Sequence, residues 1–415
     1  MTATNTKELV TSDAIRAKFP ALQSDLIYLE NAGGSQVPAV VAERIREYML
    51  HSYVRLGAGY DLSQYCTGVV ADAHAFVNRI MNGEEVGQVV LGPSSTSLVM
   101  TLADAYARSL TSDAEIVVAE SGHETNVGPW MRLADRGFTV RNWPMDPDAL
   151  DPCPLDTLRP LLNEKTAIVA FPHVSNLLGG IVDPGPIVDA AHEVGARVVV
   201  DGVAFAPHRP IDVRKWGVDW YVYSTYKVYG PHMAAMFGRD DAFAEIEGPH
   251  HFFIPRESIP YKFEAAGVSH EGCAGLLALQ EYLNFMAGVD PDDETSRDTI
   301  ESAFNRMAEL EFEPQTRLID YLGSRDDCRI VGPETGALTR VGTISFTHAS
   351  QSSKAVAESL NARNFALRHG HMYSYRLCRR LGIDPDDGVV RVSLVHYNTV
   401  DEIDRLISGL DEVLG

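Results

Sequence analysis

The stretch Asp219–Pro231, DWYVYSTYKVYGP, decides how the rest of the chain is read. It begins as a strand, because Trp220, Val222 and their aromatic neighbours suit a pleated, buried surface. The pattern stops at Ser224-Thr225-Tyr226-Lys227, and Gly230-Pro231 turns the chain away. A lysine at the end of a buried apolar strand is costly to keep charged, since desolvation favours the neutral amine. A neutral amine is a nucleophile suited to forming a Schiff base with a carbonyl. The plainer reading is a lysine that snorkels off a strand end. This stretch alone does not choose between the two.

A second stretch does. In Ala196–His208, ARVVVDGVAFAPH, the β-branched run Val198–Val200 reads as a buried parallel strand with Asp201 at its carboxyl end. Ligands of open α/β sheets gather at that end. A carboxylate there can pair with a pyridinium nitrogen and keep it protonated, which makes the ring an electron sink. An aspartate at one strand end, with Ser-x-x-Lys at the next about two dozen residues on, is far more specific than either alone. VDGVAFAPH followed by YSTYKVYGP resembles the class V aminotransferases. These are fold-type I pyridoxal-phosphate enzymes, and they include the cysteine desulfurases. The resemblance runs from YLENAGGSQVP at Tyr28–Pro38 to RVSLVHYNT at Arg391–Thr399 and is nearest to the cysteine-desulfurase-like branch.

Strand–helix alternation with a polar residue at each strand end predicts an α/β chain with a mostly parallel sheet. Pro291-Asp292-Asp293-Glu294 marks a domain boundary. The expected organisation is a large cofactor-binding domain over 26–292 and a small α+β domain over 293–415. The segment 1–25 should pack with the small domain, through a helix capped by Ser12 or Asp13. Further helices are read over Val37–Val54, Leu98–Leu110, Pro186–Glu193, Ala274–Ala287 (amphipathic) and Thr295–Leu322.

Composition narrows the function classes. A chain of 415 residues, 45% hydrophobic, can bury a large core, and its formal charge of −22 argues against nucleic acid or an anionic membrane as partner. Cys66, Cys153, Cys273, Cys328 and Cys378 are scattered without CxxC spacing, which suits reduced thiols in a cytoplasmic protein. No stretch has the length and apolarity of a signal or membrane span. His250-His251 and His369-x-His371 recruit no third ligand, so no metal is expected.

The resemblance assigns roles along the chain. Gly92-Pro93-Ser94-Ser95-Thr96-Ser97 opens a helix, whose free N–H groups suit an anion. The resemblance places the cofactor phosphate there, on Ser94 and Ser95. It puts His123 over the pyridine face as a stacking and catalytic residue, Asn176 at the phenolic oxygen, and Asp201 at the ring nitrogen. Lys227 is the Schiff-base lysine and the proton shuttle, with Ser224 and Tyr226 beside the phosphate. Ala32 and Gly33 line the substrate side, and Arg391 clamps an α-carboxylate. Two subunits complete each site in the family, which implies a homodimer.

Four positions depart from the family. In cysteine desulfurases a loop before the last strand carries the cysteine that receives sulfur. Here the loop is Leu367–Tyr375, and Tyr373 or a direct neighbour takes that place. Ala204 stands where a glutamine is usual, Tyr226 where a histidine is common, and Gly267 where the partner's phosphate-binding threonine would be. That threonine's contact is either lost or supplied by Ser269 or His270. Cys273, beside this segment, is a candidate relocated thiol. The resemblance therefore implies an enzyme acting at Cα or Cβ of an amino acid, as a carbon–sulfur β-lyase without the usual persulfide cysteine. The alternatives are decarboxylation or desulfination at Cβ with the carbanion protonated or trapped, an aminotransferase, and a catalytically dead scaffold for a sulfur-transfer partner.

Overall fold

The computed structural model describes residues 10–415. The first nine residues of the expected segment 1–25 lie outside that range. The central sheet has seven strands: β1 (Gly87–Gly92), β2 (Glu115–Ala119), β3 (Thr139–Trp143), β4 (Thr166–Pro172), β5 (Arg197–Asp201), β6 (Trp220–Ser224) and β7 (Ala234–Arg239). Their spatial order is β1-β7-β6-β5-β4-β2-β3. Neighbours from β6 to β3 pair in parallel, while β7 runs antiparallel to both β6 and β1. The sheet is mostly parallel, as expected, with one reversed strand near its edge.

Register places the functional ends together. Pro172 pairs with Asp201, Asp201 with Val222, Ser224 with Ala234 and Ala234 with Gly92. The carboxyl ends of β1, β4, β5 and β6 therefore share one rim. Alternation of side chains divides the core in two. Val198, Val200, Tyr221 and Tyr223 face one apolar layer, and Val199, Trp220 and Val222 face the other.

A second sheet is antiparallel: β8 (Cys328–Ile330), β9 (Thr343–His348), β10 (Arg368–Gly370) and β11 (Val389–Ser393), ordered β10-β11-β9-β8. It builds its own core with the helices Ser353–Asn361 and Val400–Leu414. The helix Arg297–Gly323 belongs to both cores, with Phe304 and Met307 in the first and Leu318 and Leu322 in the second.

Several local expectations need correction. The first described helix, Ser12–Arg16, is capped by Thr11, whose hydroxyl accepts from Ala14 N–H. Ile15 and Phe19 behind it sink into the large core, while Arg16 reaches Glu402 and the Tyr397 carbonyl. The helix His270–Ala287 is not amphipathic. It is buried on most sides because the helices Ala39–His51, Asp61–Met81 and Arg297–Gly323 all pack on it. Gly275 permits the close crossing, since a Cβ there would come within 2.7 Å of Ile45. Ser269 is committed to capping this helix, accepting from Gly272 N–H at 3.1 Å and donating to Glu271 at 2.7 Å. Glu264, just upstream, accepts from Leu91 N–H at 2.6 Å and pairs with His74 at 2.7 Å, tying this segment to β1.

Candidate active site

The carboxyl rim opens into a cavity of about 440 Å³. All twelve residues singled out from the sequence line it: Ala32, Gly33, Ser94, Ser95, His123, Asn176, Asp201, Ser224, Tyr226, Lys227, Tyr373 and Arg391. Most arrive on a strand end or the turn beyond it, while Ser95 opens the helix Ser95–Ser109 and Arg391 sits in the middle of β11. Lys227 closes a short 3-10 turn, Thr225–Lys227, directly after β6, so its side chain starts from the rim. Burial pushes its pKa down to about 8, aided by Arg391 and opposed by Asp201.

Asp201 lines the same cavity and is buried. Burial pushes its carboxyl up to about 6, against a hydrogen bond from Val203 N–H at 2.9 Å and the charge of Lys227. His123 accepts from Thr125 N–H at Nδ1, which leaves the ring proton on Nε2. Burial, with the charges of Lys227 and Arg391, pushes its pKa down to about 3, so the ring is neutral. Ser95 and Ser224 join hydroxyl to hydroxyl at 2.7 Å across the mouth of the helix Ser95–Ser109. Ser94 caps that helix through Ser97 N–H.

On the other wall, Arg391 is buried on β11 and donates to the Asn176 carbonyl at 3.2 Å, while its Nε has no partner among the described residues. Burial lowers its pKa to about 10. The side chain of Asn176 is engaged with the loop Leu367–Tyr375. It donates to the Met372 carbonyl at 2.7 Å and accepts from Ser374 at 2.8 Å. Tyr373 is exposed, and its ring centroid stands 5.2 Å from that of His123. Glu124 N–H donates to the Tyr373 carbonyl at 3.0 Å, and Arg376 pairs with Glu124 at 3.0 Å.

The sequence reading missed Arg368, Glu124 and Arg132, which also line the cavity. Arg368 lies in the expected loop Leu367–Tyr375 and has no sequence signal of its own, because only its pairing with β11 brings it beside Arg391. Ala204 is in the lining, and no cysteine is. Cys378 and Cys273 are fully buried in the core, where burial pushes both thiols well above the ordinary value. Among the described residues, no group of three or more His, Cys, Asp or Glu side chains could hold a metal ion, and no helix is long and apolar enough to cross a membrane.

A mostly parallel α/β rim that brings a buried lysine, a buried carboxylate and a neutral imidazole into one cavity places the candidate chemistry at the carboxyl ends of the strands, as open α/β enzymes do. The sequence profile described as Aminotransferase class-V matches residues 27–406, and the chain belongs to that family. It is 39% identical over 411 residues to the aminotransferase-like protein FGM3 of Gibberella zeae, covering 96% of this chain and 98% of that one. It is 30% identical to a cysteine desulfurase of Dickeya dadantii, covering 97% and 96%. Among solved structures, the cysteine desulfurase CsdA of Escherichia coli matches with a TM-score of 0.82 at 25% identity, covering 97% of this chain and 98% of that one. Enzymes of this family depend on pyridoxal phosphate.

Proposed function

We propose that this enzyme holds pyridoxal phosphate on Lys227 and acts at Cα or Cβ of an amino acid, as a carbon–sulfur β-lyase that uses no thiol of its own. The observation that carries the reading is the pair Lys227 and Asp201. An amine lowered to about 8 and a carboxyl raised to about 6 face one cavity, without a hydrogen bond between them. The residues fit the cofactor. Asp201 would hold the ring nitrogen, and His123 would present a flat neutral face. Ser94, Ser95 and the N-terminus of a 15-residue helix would take the phosphate, with Ser224 and Tyr226 beside them. When bound, the cofactor supplies an electron sink for the bonds at Cα.

The chain's own groups do the rest. Arg391 orients an α-carboxylate through donors that no protein acceptor fills. Lys227, with a pKa near neutral pH, can hold or give up a proton at Cα. Ala32 and Gly33 keep the opposite wall low. Asn176, whose amide is occupied by Met372 and Ser374, serves chiefly to dock the loop. The enzyme is proposed to work as a homodimer. Met49, Leu50, Tyr53, Tyr60 and Tyr65 are all exposed along one run of the chain and need cover.

Lys227→Ala should abolish turnover and the visible absorption of the bound cofactor while leaving the fold intact. Borohydride reduction that fixed the cofactor to another lysine would sink the assignment. Turnover with cysteine should leave no persulfide on any thiol by mass spectrometry, and Cys273→Ala should keep activity within about threefold. A persulfide on Cys273, lost together with activity in that variant, would restore a thiol mechanism.

A further inference from the structure

A second cavity, of about 350 Å³, opens at the opposite end of the sheet and shares no residue with the first. Gln88, in its wall, pairs with Gly238 where β1 begins and β7 ends, while Gly92 pairs with Ala234 at the rim. Four residues of strand separate the two ends, about 13 Å. The apolar part of the wall is Phe243 and Ile259. Of the charged residues that line it, Lys262 alone is buried, at 1% exposed.

That lysine is costly where it stands. Its Nζ donates to the Phe243 carbonyl at 2.5 Å and meets no carboxylate within ion-pair reach among the described residues. Glu247, the acid that attracts it, is paired instead with Arg256 at 2.7 Å. An ammonium has three donors, so two remain for whatever fills the cavity. Lysine is seldom buried without a counter-ion, because a charge moved out of water needs one. Nor can the residue swing out. Its N–H donates to the Ser258 carbonyl at 2.8 Å, and its own carbonyl lies 1.9 Å from where a Cβ on Gly248 would sit. Phe263, next in the chain, is fixed in the core against Phe243, 5.4 Å between ring centroids.

The mouth carries the opposite charge. Asp240 accepts from the Gln88 amide at 3.0 Å, and neither Asp240 nor Glu257 meets a cation within ion-pair reach among the described residues. A simple anion would be repelled at the mouth, and a simple cation by Lys262 at the floor. A zwitterion answers both charges. We infer that this cavity is a second, non-catalytic site for a free α-amino acid with a small apolar side chain. Its carboxylate would lie on Lys262, its ammonium toward Asp240 and Glu257, and its side chain on Phe243 and Ile259. The volume is at the small end of the range for ligand sites, which suits such a molecule. No residue of the catalytic cavity takes part, so the inference stands apart from the reaction proposed above.

The test is calorimetry on the cofactor-loaded enzyme after borohydride reduction, which stops the catalytic site from taking up amino acids covalently. L-valine is compared with isovalerate, which lacks its ammonium, and isobutylamine, which lacks its carboxylate. One valine should bind per chain, about tenfold or more tighter than either fragment, as one charged hydrogen bond requires. Lys262→Met should lose about tenfold or more in valine affinity. It should melt no lower than the wild type, since it removes a buried charge without a counter-ion, so lost binding is not lost fold. Glu257→Gln, an exposed change, should weaken valine and leave isovalerate alone. No binding of valine, isovalerate binding as tightly as valine, or valine affinity unchanged in Lys262→Met would each overturn the inference. None of these results bears on the assignment of Lys227.

Discussion

Two buried aspartates, one before β6 and one at the end of β5, are set in opposite ways. Asp219, at the amino end of the parallel strands, accepts from Arg197 at 2.7 Å, His192 at 2.9 Å and Val198 N–H at 2.8 Å. Asp201, at the carboxyl end, accepts one backbone N–H and is pushed up to about 6 by burial. The first carboxylate is saturated and fastens three elements. The second is left short of donors in a dry place, where a cationic partner gains most. One sheet thus keeps its structural acid at the floor and its reactive acid at the mouth.

That contrast can be broken by exchange of roles. Asp201→Ala should cut turnover about 100- to 1000-fold, as removal of a preorganised charge does, with Tm unchanged or higher. Near-normal turnover in that variant would show that this strand end does not meet the reacting ring. Asp219→Ala should do the reverse. It strands a buried Val198 N–H and loosens Arg197, for a loss of about 3 kcal/mol in urea unfolding, while activity per folded molecule stays within about threefold. A comparable loss of kcat there would erase the distinction between floor and mouth.

The smallest expected effect concerns a third buried carboxylate, Glu264. Burial opposes charge on His74, but the hydrogen bond and charge of Glu264 win and raise its pKa above 6.5. A group raised in the folded state stabilises fully below its unfolded value and loses that contribution as pH rises through the folded one. Wild-type Tm should therefore fall by about 2 °C or less between mildly acidic and alkaline buffer, and His74→Gln should lack that part of the slope. An identical slope in both proteins would remove His74 from the account.

Much of the rim was legible because strand ends announce themselves. An apolar β-branched or aromatic run closed by a polar residue is a two-part signal, and β5 with Asp201 and β6 with Ser224 carry it. The helix Asp61–Met81 went unassigned, although Cys66, Val69, Ala73, Phe76, Val77 and Ile80 keep a helical period. Gly68 and paired valines lower its propensity, and burial against the helix His270–Ala287 overrides them. The strand β10 is Arg-His-Gly and has no strand signal of its own. Only its pairing with β11 makes it one, so the Arg368–Arg391 register could not be read from the chain.

The loop that docks over His123 has one further consequence. Its anchors are the carbonyls of Met372 and Tyr373 and the side chains of Ser374 and Arg376, none of which is the side chain at position 373. Met372 and Tyr373 both sit at positive φ, 48° and 59°, an unfavourable setting already sustained by those anchors. Position 373 is therefore a socket. A different side chain placed there would be delivered to the same spot above the imidazole, with no new demand on the backbone. Within such a frame a lineage can exchange a thiol, a phenol or an acid by single codon changes, and new chemistry can be tried there without refolding the rim.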